Sequence, residues 1–417
     1  MVAFFNKRNR KNKYPLILAS ALYLSAIHPS ASLADTVTDW NMASVDIIAG
    51  QIKGPAMANR AVALVQTSVY AAVNSITGKY PATDPVIEAP AGASVDAAVA
   101  AANHQVLGQL FPKAEAAIDE LYAKSLAEMA DDQSRADGIT VGRKAAEAVF
   151  AMRADDKVGV AESYRPLTTP GAYVPTVTPV ASTWSDNRLP WTLTSTDQFR
   201  PAPPPSLDSE RWAQDYNEIK TVGAHDSDVR TEEQSAAARF WVATSPKVYF
   251  PVVQSVTSQP DRDLSRNARL FAITSQAIED ALIAVFDAKY HYGFWRPMTA
   301  IRNGDRDDNT ATERQADWKP MVKTPMHPEY PCAHCIVSGT VGTALKADLG
   351  SEPTPLLSSS SPTDGGATRT WETVDAFMQE VADARVWEGV HYRNSAEVGT
   401  EMGRLIAEQV VSAFPTQ

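Results

Sequence analysis

Cysteine is scarce in this chain of 417 residues, which contains only Cys332 and Cys335. Two thiols cannot build a structural zinc site without two further ligands. Ile336 follows Cys335 where covalent haem attachment requires histidine. The spacing of the pair is that of a thioredoxin-like redox motif, yet no alternation of strands and helices surrounds it. A disulfide between the two cysteines and a redox role therefore both stay open.

Long apolar runs are also missing. The apolar stretch at 15–27 is too short for a comfortable membrane span, and it follows five basic residues in an acid-free segment of thirteen. Ser32-Leu33-Ala34 then has the small-x-small pattern of a cleavage site. We predict that 1–34 is a signal peptide cleaved near Ala34, so that the mature chain is secreted or periplasmic and has no membrane span. A retained N-terminal anchor is the alternative.

Positive charge is in deficit over the rest of the chain. Loss of the five basic residues near the start would take the formal charge from −11 to −16. Nucleic-acid binding requires a basic face, so this balance argues against a nucleic-acid partner. Any group of lysines and arginines that attracts an anion must act locally.

Strand-like alternation is not evident, whereas apolar residues recur every three to four positions, which is typical of amphipathic helices. The fold class that we predict is all-α, a helical bundle with long crossovers. The segment 351–370, rich in Ser, Pro, Thr and Gly, is predicted to be a loop. Helices are predicted at 56–76, 94–110, 113–129, 133–154, 206–221, 231–242, 261–288, 333–349, 373–387 and 395–414.

Composition divides the predicted mature chain into three regions. The Ala-rich region 35–159 is predicted to be helical. The region 160–206 is rich in Pro, Thr and Ser, and a loop of this length in a compact enzyme usually covers or serves a site. We interpret it as a strap over the helices, with a linker between two domains as the alternative. The region 207–417 is predicted to be the helical catalytic region.

Candidate chemistry is concentrated at 287–395, which holds four of the seven histidines. Lys289 lies at the end of the longest predicted helix, and Arg296 follows seven residues later. Two long cations at this spacing can converge on one oxyanion, with the arginine offering a planar fork. For this stretch alone, a solvated basic helix end is the simpler interpretation.

A second stretch contains a predicted helix start. Pro331 suits the first turn of a helix, which would leave the N–H groups of Cys332 and Ala333 as unpaired donors for an anion. His334 lies in the same turn, where it can act as a general acid or base. The alternative is a structural histidine whose ring is satisfied by its neighbours.

A third stretch connects two predicted helices. Gly389 is expected to end the first helix, one turn after Arg385, and Asn394 to cap the second with Glu397. His391 would then lie in irregular backbone and point into a cleft, where its imidazole can attack phosphorus or bind a metal oxyanion. A surface turn histidine is the alternative.

Together the three stretches resemble the active-site signature of the vanadium haloperoxidase and type 2 phosphatidic acid phosphatase superfamily. Its pattern is Lys-x6-Arg-Pro, then Pro-Ser-Gly-His, then Ser-Arg-x5-His-x3-Asp. Order and spacing agree over about 110 residues, and the Ala-rich start and the strap resemble the longer secreted haloperoxidase-like members. The matching residues here are Lys289, Arg296-Pro297, Pro331-Cys332-Ala333-His334, Ala384-Arg385 and His391.

The resemblance implies a role for each matching residue. Lys289, Arg296 and Arg385, with Cys332 and Ala333, would bind the oxyanion. His334 would be the acid–base residue. His391 would be the vanadium ligand of a vanadate cofactor in a peroxidase, or the nucleophile that forms a phosphohistidine in a phosphatase without a cofactor.

Four positions depart from the superfamily pattern. Cys332 replaces the serine, and a thiol is a weaker donor than a hydroxyl. Ala333 replaces the glycine, and Ala384 replaces the serine before the arginine. Ser395 replaces the final aspartate, so any carboxylate that orients His391 must come from elsewhere or be missing.

Several functions remain open at this point. The first is a haloperoxidase-like oxidoreductase that uses vanadate, hydrogen peroxide and halide. The second is an acid phosphatase acting on phosphate esters, and the third is a non-catalytic oxyanion-binding homologue. A redox protein that uses Cys332 and Cys335 is the fourth. A homodimer is compatible with all four, because helical faces left over in a bundle often pair.

Overall fold

Helices account for almost all of the regular structure in the computed structural model, which describes residues 35–156, 165, 167–176 and 188–416. The predicted signal peptide and parts of the strap lie outside the described residues. The described helices are α1 (Thr36–Gln51), α2 (Pro55–Thr77), α3 (Val95–Leu110), α4 (Glu115–Ala127), α5 (Gln133–Met152), α6 (Glu210–Val222), α7 (Glu232–Phe240), α8 (Pro246–Thr257), α9 (Leu264–Tyr292), α10 (Pro297–Arg302), α11 (Ala333–Leu349), α12 (Val374–Trp387) and α13 (Arg393–Ser412).

The all-α class is confirmed, with local errors in individual elements. Two short strands, β1 (Leu357–Ser360) and β2 (Thr368–Trp371), form an antiparallel hairpin inside the segment that the sequence predicts to be a loop. The strands have four residues each, so they are too short and too rich in Ser and Thr to give a clear period-two pattern.

Helix α8 lies in a segment for which the sequence predicts no helix. Helix α8 contains Pro251 in its interior, where proline removes a backbone donor and normally breaks a helix. Val248, Phe250 and Val252 of this helix are fully buried. Burial of such side chains stabilises the helix more than local propensity opposes it, so packing decides the outcome.

Helix α9 is the central element of the bundle, and it packs against α2, α11 and α13. The Asp263 side chain accepts the N–H of Arg266 at 3.1 Å and so caps the start of α9. The helix continues four residues past the predicted end and stops at Gly293, whose φ of 54° favours glycine. This places Lys289, which is itself fully buried, in the last turn of the helix.

The described part of the strap lies on α9. The carboxylate of Asp280 accepts the backbone N–H groups of Trp191 at 2.6 Å and Thr192 at 2.9 Å. Glu279 accepts the indole N–H of Trp191 at 2.8 Å. These contacts lie inside one compact unit, and the assignment of 160–206 as a strap stays a prediction.

No helix among the described residues combines the length and the apolar character needed to cross a bilayer.

Helices α11 and α13 approach closely through small residues, and this contact fixes the two elements that begin beside the candidate site. A Cβ atom on Gly339 of α11 would lie 2.4 Å from the carbonyl oxygen of Thr400 in α13. A Cβ atom on Gly403 of α13 would lie 2.2 Å from the carbonyl oxygen of Ile336. Neither position has room for a side chain.

We therefore expect Gly403→Ala to lower the free energy of unfolding by about 1–3 kcal/mol, because the added methyl forces the two helices apart. Urea denaturation followed by circular dichroism measures the change. Gly108→Ala is the matched control, since nothing lies within 4 Å of a Cβ there in α3. That substitution should stabilise the protein by up to about 1 kcal/mol through helix propensity. Equal effects at the two glycines would contradict the close contact.

Candidate functional site

His334 lies in the first turn of α11, but the start of this helix differs from the prediction. The helix begins at Ala333 with Cys332 as its N-cap, and Pro331 precedes the helix after a cis peptide bond. The N–H of Cys332 is not a free donor, because it bonds to the carbonyl oxygen of Ser395 at 3.1 Å. Ala333, as the first helical residue, keeps an N–H that points out of the helix.

The two cysteines form a disulfide. The Cys332 sulfur also accepts the backbone N–H of Cys335 at 3.1 Å, which caps α11. Both cysteines are fully buried. Cys332 therefore has neither the thiol nor the amide donor that an oxyanion-binding role requires, and the buried sulfurs do not favour thiol exchange with a partner.

His391 lies on the short connection between α12 and α13, as predicted. Gly389 has a φ of 77°, and a Cβ there would lie 2.3 Å from the carbonyl oxygen of Gly223. The predicted cap of α13 is wrong. The helix starts at Arg393 without a side-chain cap, and the N–H of Asn394 bonds to Asp215 at 3.3 Å.

The carboxylate that holds His391 comes from Glu329. Its Oε1 atom lies 2.7 Å from His391 Nδ1 and accepts the backbone N–H of Tyr392 at 3.1 Å. Ser395 Oγ is 3.4 Å from the same imidazole nitrogen. Sequence reasoning missed Glu329, although it is the one acid between His327 and Cys335. Only the fold reveals that this loop faces His391.

Lys289 is fully buried, and its ammonium group is enclosed by main-chain oxygens. Nζ donates to the carbonyl oxygens of Pro328 at 3.1 Å, Glu329 at 2.8 Å and Pro331 at 2.5 Å. An ammonium group has three protons, so all of them are used. Lys289 can attract an anion through its charge but has no proton left for a direct hydrogen bond.

Arg296 is also fully buried, next to both His327 and His391. Its Nη1 atom donates to the carbonyl oxygen of Val390 at 2.8 Å and lies 3.3 Å from His391 Nε2. Its Nη2 atom lies 3.0 Å from His327 Nδ1. The guanidinium group therefore fixes the main chain on both sides of the candidate site.

Arg385 lines the site directly. Its Nη1 atom donates to the carbonyl oxygen of Trp241 at 3.0 Å and to Glu388 Oε1 at 2.6 Å. Its Nε atom is buried and has no hydrogen-bond partner among the described residues. Glu388 is a second acidic residue that the sequence analysis did not identify as part of the site.

The His334 ring is held at one nitrogen only. Nε2 lies 2.6 Å from Thr244 Oγ1. Nδ1 is buried, and the described part of the chain offers it no partner. One ring nitrogen thus remains available to a ligand, as an acid–base role requires.

A cavity of about 180 Å³ brings these groups together. Predicted site residues Ala333, His334, Arg385 and His391 line it, whereas Lys289, Arg296 and Cys332 do not. The two buried cations lie behind the wall, close to Glu329 and His391. The remaining lining residues include His327, Glu388 and Lys323, with apolar side chains from Val242, Leu282, Phe286 and Val322.

The electrostatics of the site follow from burial and from the cations. Burial holds the pKa of His334 and His391 well below the usual value, and the positive charges of Arg385, Arg296 and Lys289 lower both further. Both imidazoles are therefore neutral at neutral pH.

The other buried charges are affected by the same desolvation. Burial lowers the pKa of Lys289 far below its usual value and that of Arg296 to about 10. Burial also raises the pKa of Glu329 and of Glu388 to about 7, against the opposing effect of the arginines. The arrangement offers neutral imidazole nitrogen and net positive charge, which suits a tetrahedral oxyanion.

Comparison with known proteins relates the chain to enzymes that use vanadium. Residues 269–416 match the family model described as the VCPO second helical-bundle domain. The vanadium chloroperoxidase of Curvularia inaequalis is 26% identical over 177 residues, which are 36% of this chain and 29% of that protein. The match thus spans less than a third of the length of this relative.

Two solved structures share the architecture along most of the chain. A bacterial vanadium-dependent iodoperoxidase superimposes with a TM-score of 0.75 at 22% identity, over 91% of this chain and 96% of that one. A holo-type bacterial vanadium-dependent chloroperoxidase gives a TM-score of 0.70 at 16% identity, over 87% and 93%. At these identities the likeness concerns the fold.

The contact between Glu329 and His391 gives a prediction about the imidazole. In the wild-type protein we expect the neutral His391 ring to carry its proton on Nδ1, because Glu329 accepts it there. Glu329→Ala should abolish this preference, and Ser395→Asp in the same chain should restore it, since position 395 faces the same nitrogen. Nitrogen-15 chemical shifts of labelled histidine report the tautomer. An unchanged tautomer in Glu329→Ala would contradict the assignment.

Proposed function

We propose that the chain is a vanadate-dependent haloperoxidase-like enzyme, because residues 269–416 match the VCPO second helical-bundle domain and part of the chain is similar to a vanadium chloroperoxidase. The proposed reaction is the oxidation of halide by hydrogen peroxide. The observation that carries the proposal is His391, a buried neutral imidazole held at Nδ1 by Glu329 beside an arginine-lined cavity. Such a ring has a lone pair on Nε2 for the metal centre of an oxyanion, which would replace the long contact of 3.3 Å to Arg296 Nη1.

The residues present fit vanadate. His334 Nδ1 and Arg385 Nε are buried polar atoms without partners among the described residues, and both side chains line the cavity with His391. Orphaned polar atoms of this kind are costly unless a ligand satisfies them. Bound vanadate would supply the electrophilic centre at which peroxide is activated toward halide.

Each side chain has a distinct part in this proposal. His391 Nε2 would bind vanadium, and Glu329 would keep the ring oriented. Arg385 would donate to oxyanion oxygens, while Lys289 and Arg296 supply positive potential from behind the cavity wall. His334 would take and return a proton through Nδ1, the ring nitrogen that Thr244 does not hold.

A phosphatase remains the second candidate, because phosphate has the shape of vanadate and the same groups would bind it. In that reaction His391 Nε2 would attack phosphorus, and His334 would protonate the leaving group. The name of the curated relative, a chloroperoxidase, favours the peroxidase. A non-catalytic oxyanion-binding protein is the third candidate, for which Cys332 in its disulfide is the supporting observation.

The signal-like start supports a second part of the proposal, that the enzyme works outside the cytoplasm after cleavage near Ala34. The five basic residues and the apolar stretch before that position are its support. N-terminal sequencing of exported protein tests it, and a retained segment 1–34 would contradict it.

We expect the purified protein to oxidise bromide with hydrogen peroxide only after vanadate is added. The measurement is a paired assay of halide oxidation and of phosphomonoester hydrolysis, each with and without vanadate. Hydrolysis that vanadate inhibits would instead establish the phosphatase. Oxyanion binding without either activity would establish the binding role.

His391→Ala should lower whichever turnover is found by at least about a hundredfold, because the oxyanion loses its ligand or the phosphoryl group its acceptor. His291→Ala is the matched control, since His291 is exposed two residues beyond Lys289 and does not line the cavity. Undiminished turnover in His391→Ala would rule out both enzymatic candidates.

A further inference from the structure

Glu388 is an acidic residue in the cavity that we propose to bind an oxyanion. Its side chain is fully buried and lines the cavity with Arg385 and His391. Its main chain is fixed, since its N–H bonds to the carbonyl oxygen of Ala384 at 2.8 Å and its carbonyl oxygen accepts the N–H of Val322 at 3.3 Å. The carboxylate therefore cannot leave the site by a simple shift of the backbone.

The partner of Glu388 is the cation that an incoming anion needs. Arg385 Nη1 donates to Glu388 Oε1 at 2.6 Å. Among the three cations that the superfamily pattern assigns to the oxyanion, only Arg385 lines the cavity. The three ammonium protons of Lys289 already form hydrogen bonds to three carbonyl oxygens. An oxyanion in the cavity must consequently share Arg385 with a carboxylate.

The charge of the buried cluster is correspondingly small. Lys289, Arg296 and Arg385 face Glu329 and Glu388, so one net positive charge remains when all five are ionised, and the exposed Lys323 adds a second positive charge at the cavity lining. Glu329 is engaged by His391 and the N–H of Tyr392, on the far side of the imidazole. Glu388 is thus the negative group that a ligand at Arg385 meets directly.

We propose that Glu388 is a specificity-determining residue, an internal anion that competes for Arg385 and makes the site select oxyanions of low charge. The proposal rests on the oxyanion binding proposed above. A carboxylate a few ångströms from the ligand repels each negative charge on that ligand, and the repulsion is strong because the site is buried. A doubly charged oxyanion is penalised about twice as much as a singly charged one.

Removal of this charge should tighten oxyanion binding. We expect Glu388→Gln to bind vanadate about tenfold more tightly than the wild type or better, as one unit charge at this range permits. Isothermal titration with vanadate alone gives the dissociation constant and does not depend on turnover. Glu388→Leu, which has no acceptor for Arg385, should show the same gain.

Charge selection is tested with two inert tetrahedral anions. Sulfate and perchlorate have the same shape but carry two charges and one, and each can be titrated as a competitor of vanadate. The gain on going from wild type to Glu388→Gln should be larger for sulfate than for perchlorate. Equal gains would show that Glu388 acts through the volume of its side chain or through hydrogen bonding and not through its charge. This outcome would overturn the proposed selection of oxyanions by charge.

Two control variants separate a local effect from a general one. Glu388→Asp keeps the charge and should not tighten binding. Glu372→Gln makes the same charge change at an exposed residue that does not line the cavity, and it should leave the dissociation constant unchanged. Thermal unfolding of each variant establishes that it is folded.

The possible outcomes distinguish this proposal from the function on which it rests. Folded Glu388→Gln and Glu388→Leu proteins that bind vanadate no better than wild type would overturn the role of Glu388 alone. Absence of oxyanion binding in the wild type and in every folded variant would overturn the proposed function as well.

Discussion

Burial of three cations at one end of a helical bundle is the constraint on which the rest of the site depends. A buried charge is very costly unless it is paired and hydrogen-bonded. Lys289 is compensated by three carbonyl oxygens of 328–331, Arg296 by carbonyl oxygens of His327 and Val390, and Arg385 by Trp241 and Glu388. These contacts fasten the loop before α11 and the α12–α13 connection to the end of α9. Of the groups that compensate the cations, His327 and Glu388 also line the cavity.

The sequence predicts the helices that surround this site better than the contacts within it. Periodic helices such as α2 and α11 lie within a residue or two of the predicted bounds, because their apolar spacing and their ends are local signals. Helix α8 is not predictable in this way, since Pro251 opposes it locally and only tertiary packing stabilises it. The short hairpin at Leu357–Trp371 escapes prediction for the same reason, because its pairing is a tertiary contact.

Within the site, spacing identifies residues but not their partners. Motif order selects His334, Arg385 and His391, which line one cavity. It gives no indication that Glu329 reaches His391 across 62 positions of the sequence, or that Glu388 turns toward Arg385. It also places Cys332 among the donors, whereas a contact with Ser395 and the disulfide use up its amide and its thiol. The fold determines which residues that are distant in sequence form hydrogen bonds, and a local sequence motif does not predict these partners.

The departures from the superfamily pattern share a physical logic. All of them change a hydrogen-bonding or space-filling group, at Cys332, Ala333, Ala384 and Ser395, and none removes a cation. The carboxylate that contacts His391 Nδ1 comes from position 329 in this chain, whereas the superfamily pattern has an acidic residue at position 395, which faces the same nitrogen. A hydroxyl donor has been lost at 332, and a carboxylate that neutralises Arg385 is present at 388. Since fewer donors remain and one cation is shared, an oxyanion in this cavity would depend on His391, on Arg385 Nε and on the charge of the buried cations. Long-range electrostatic attraction constrains ligand orientation less than hydrogen bonds do, so the Glu329–His391 pair would contribute strongly to the orientation of a bound oxyanion.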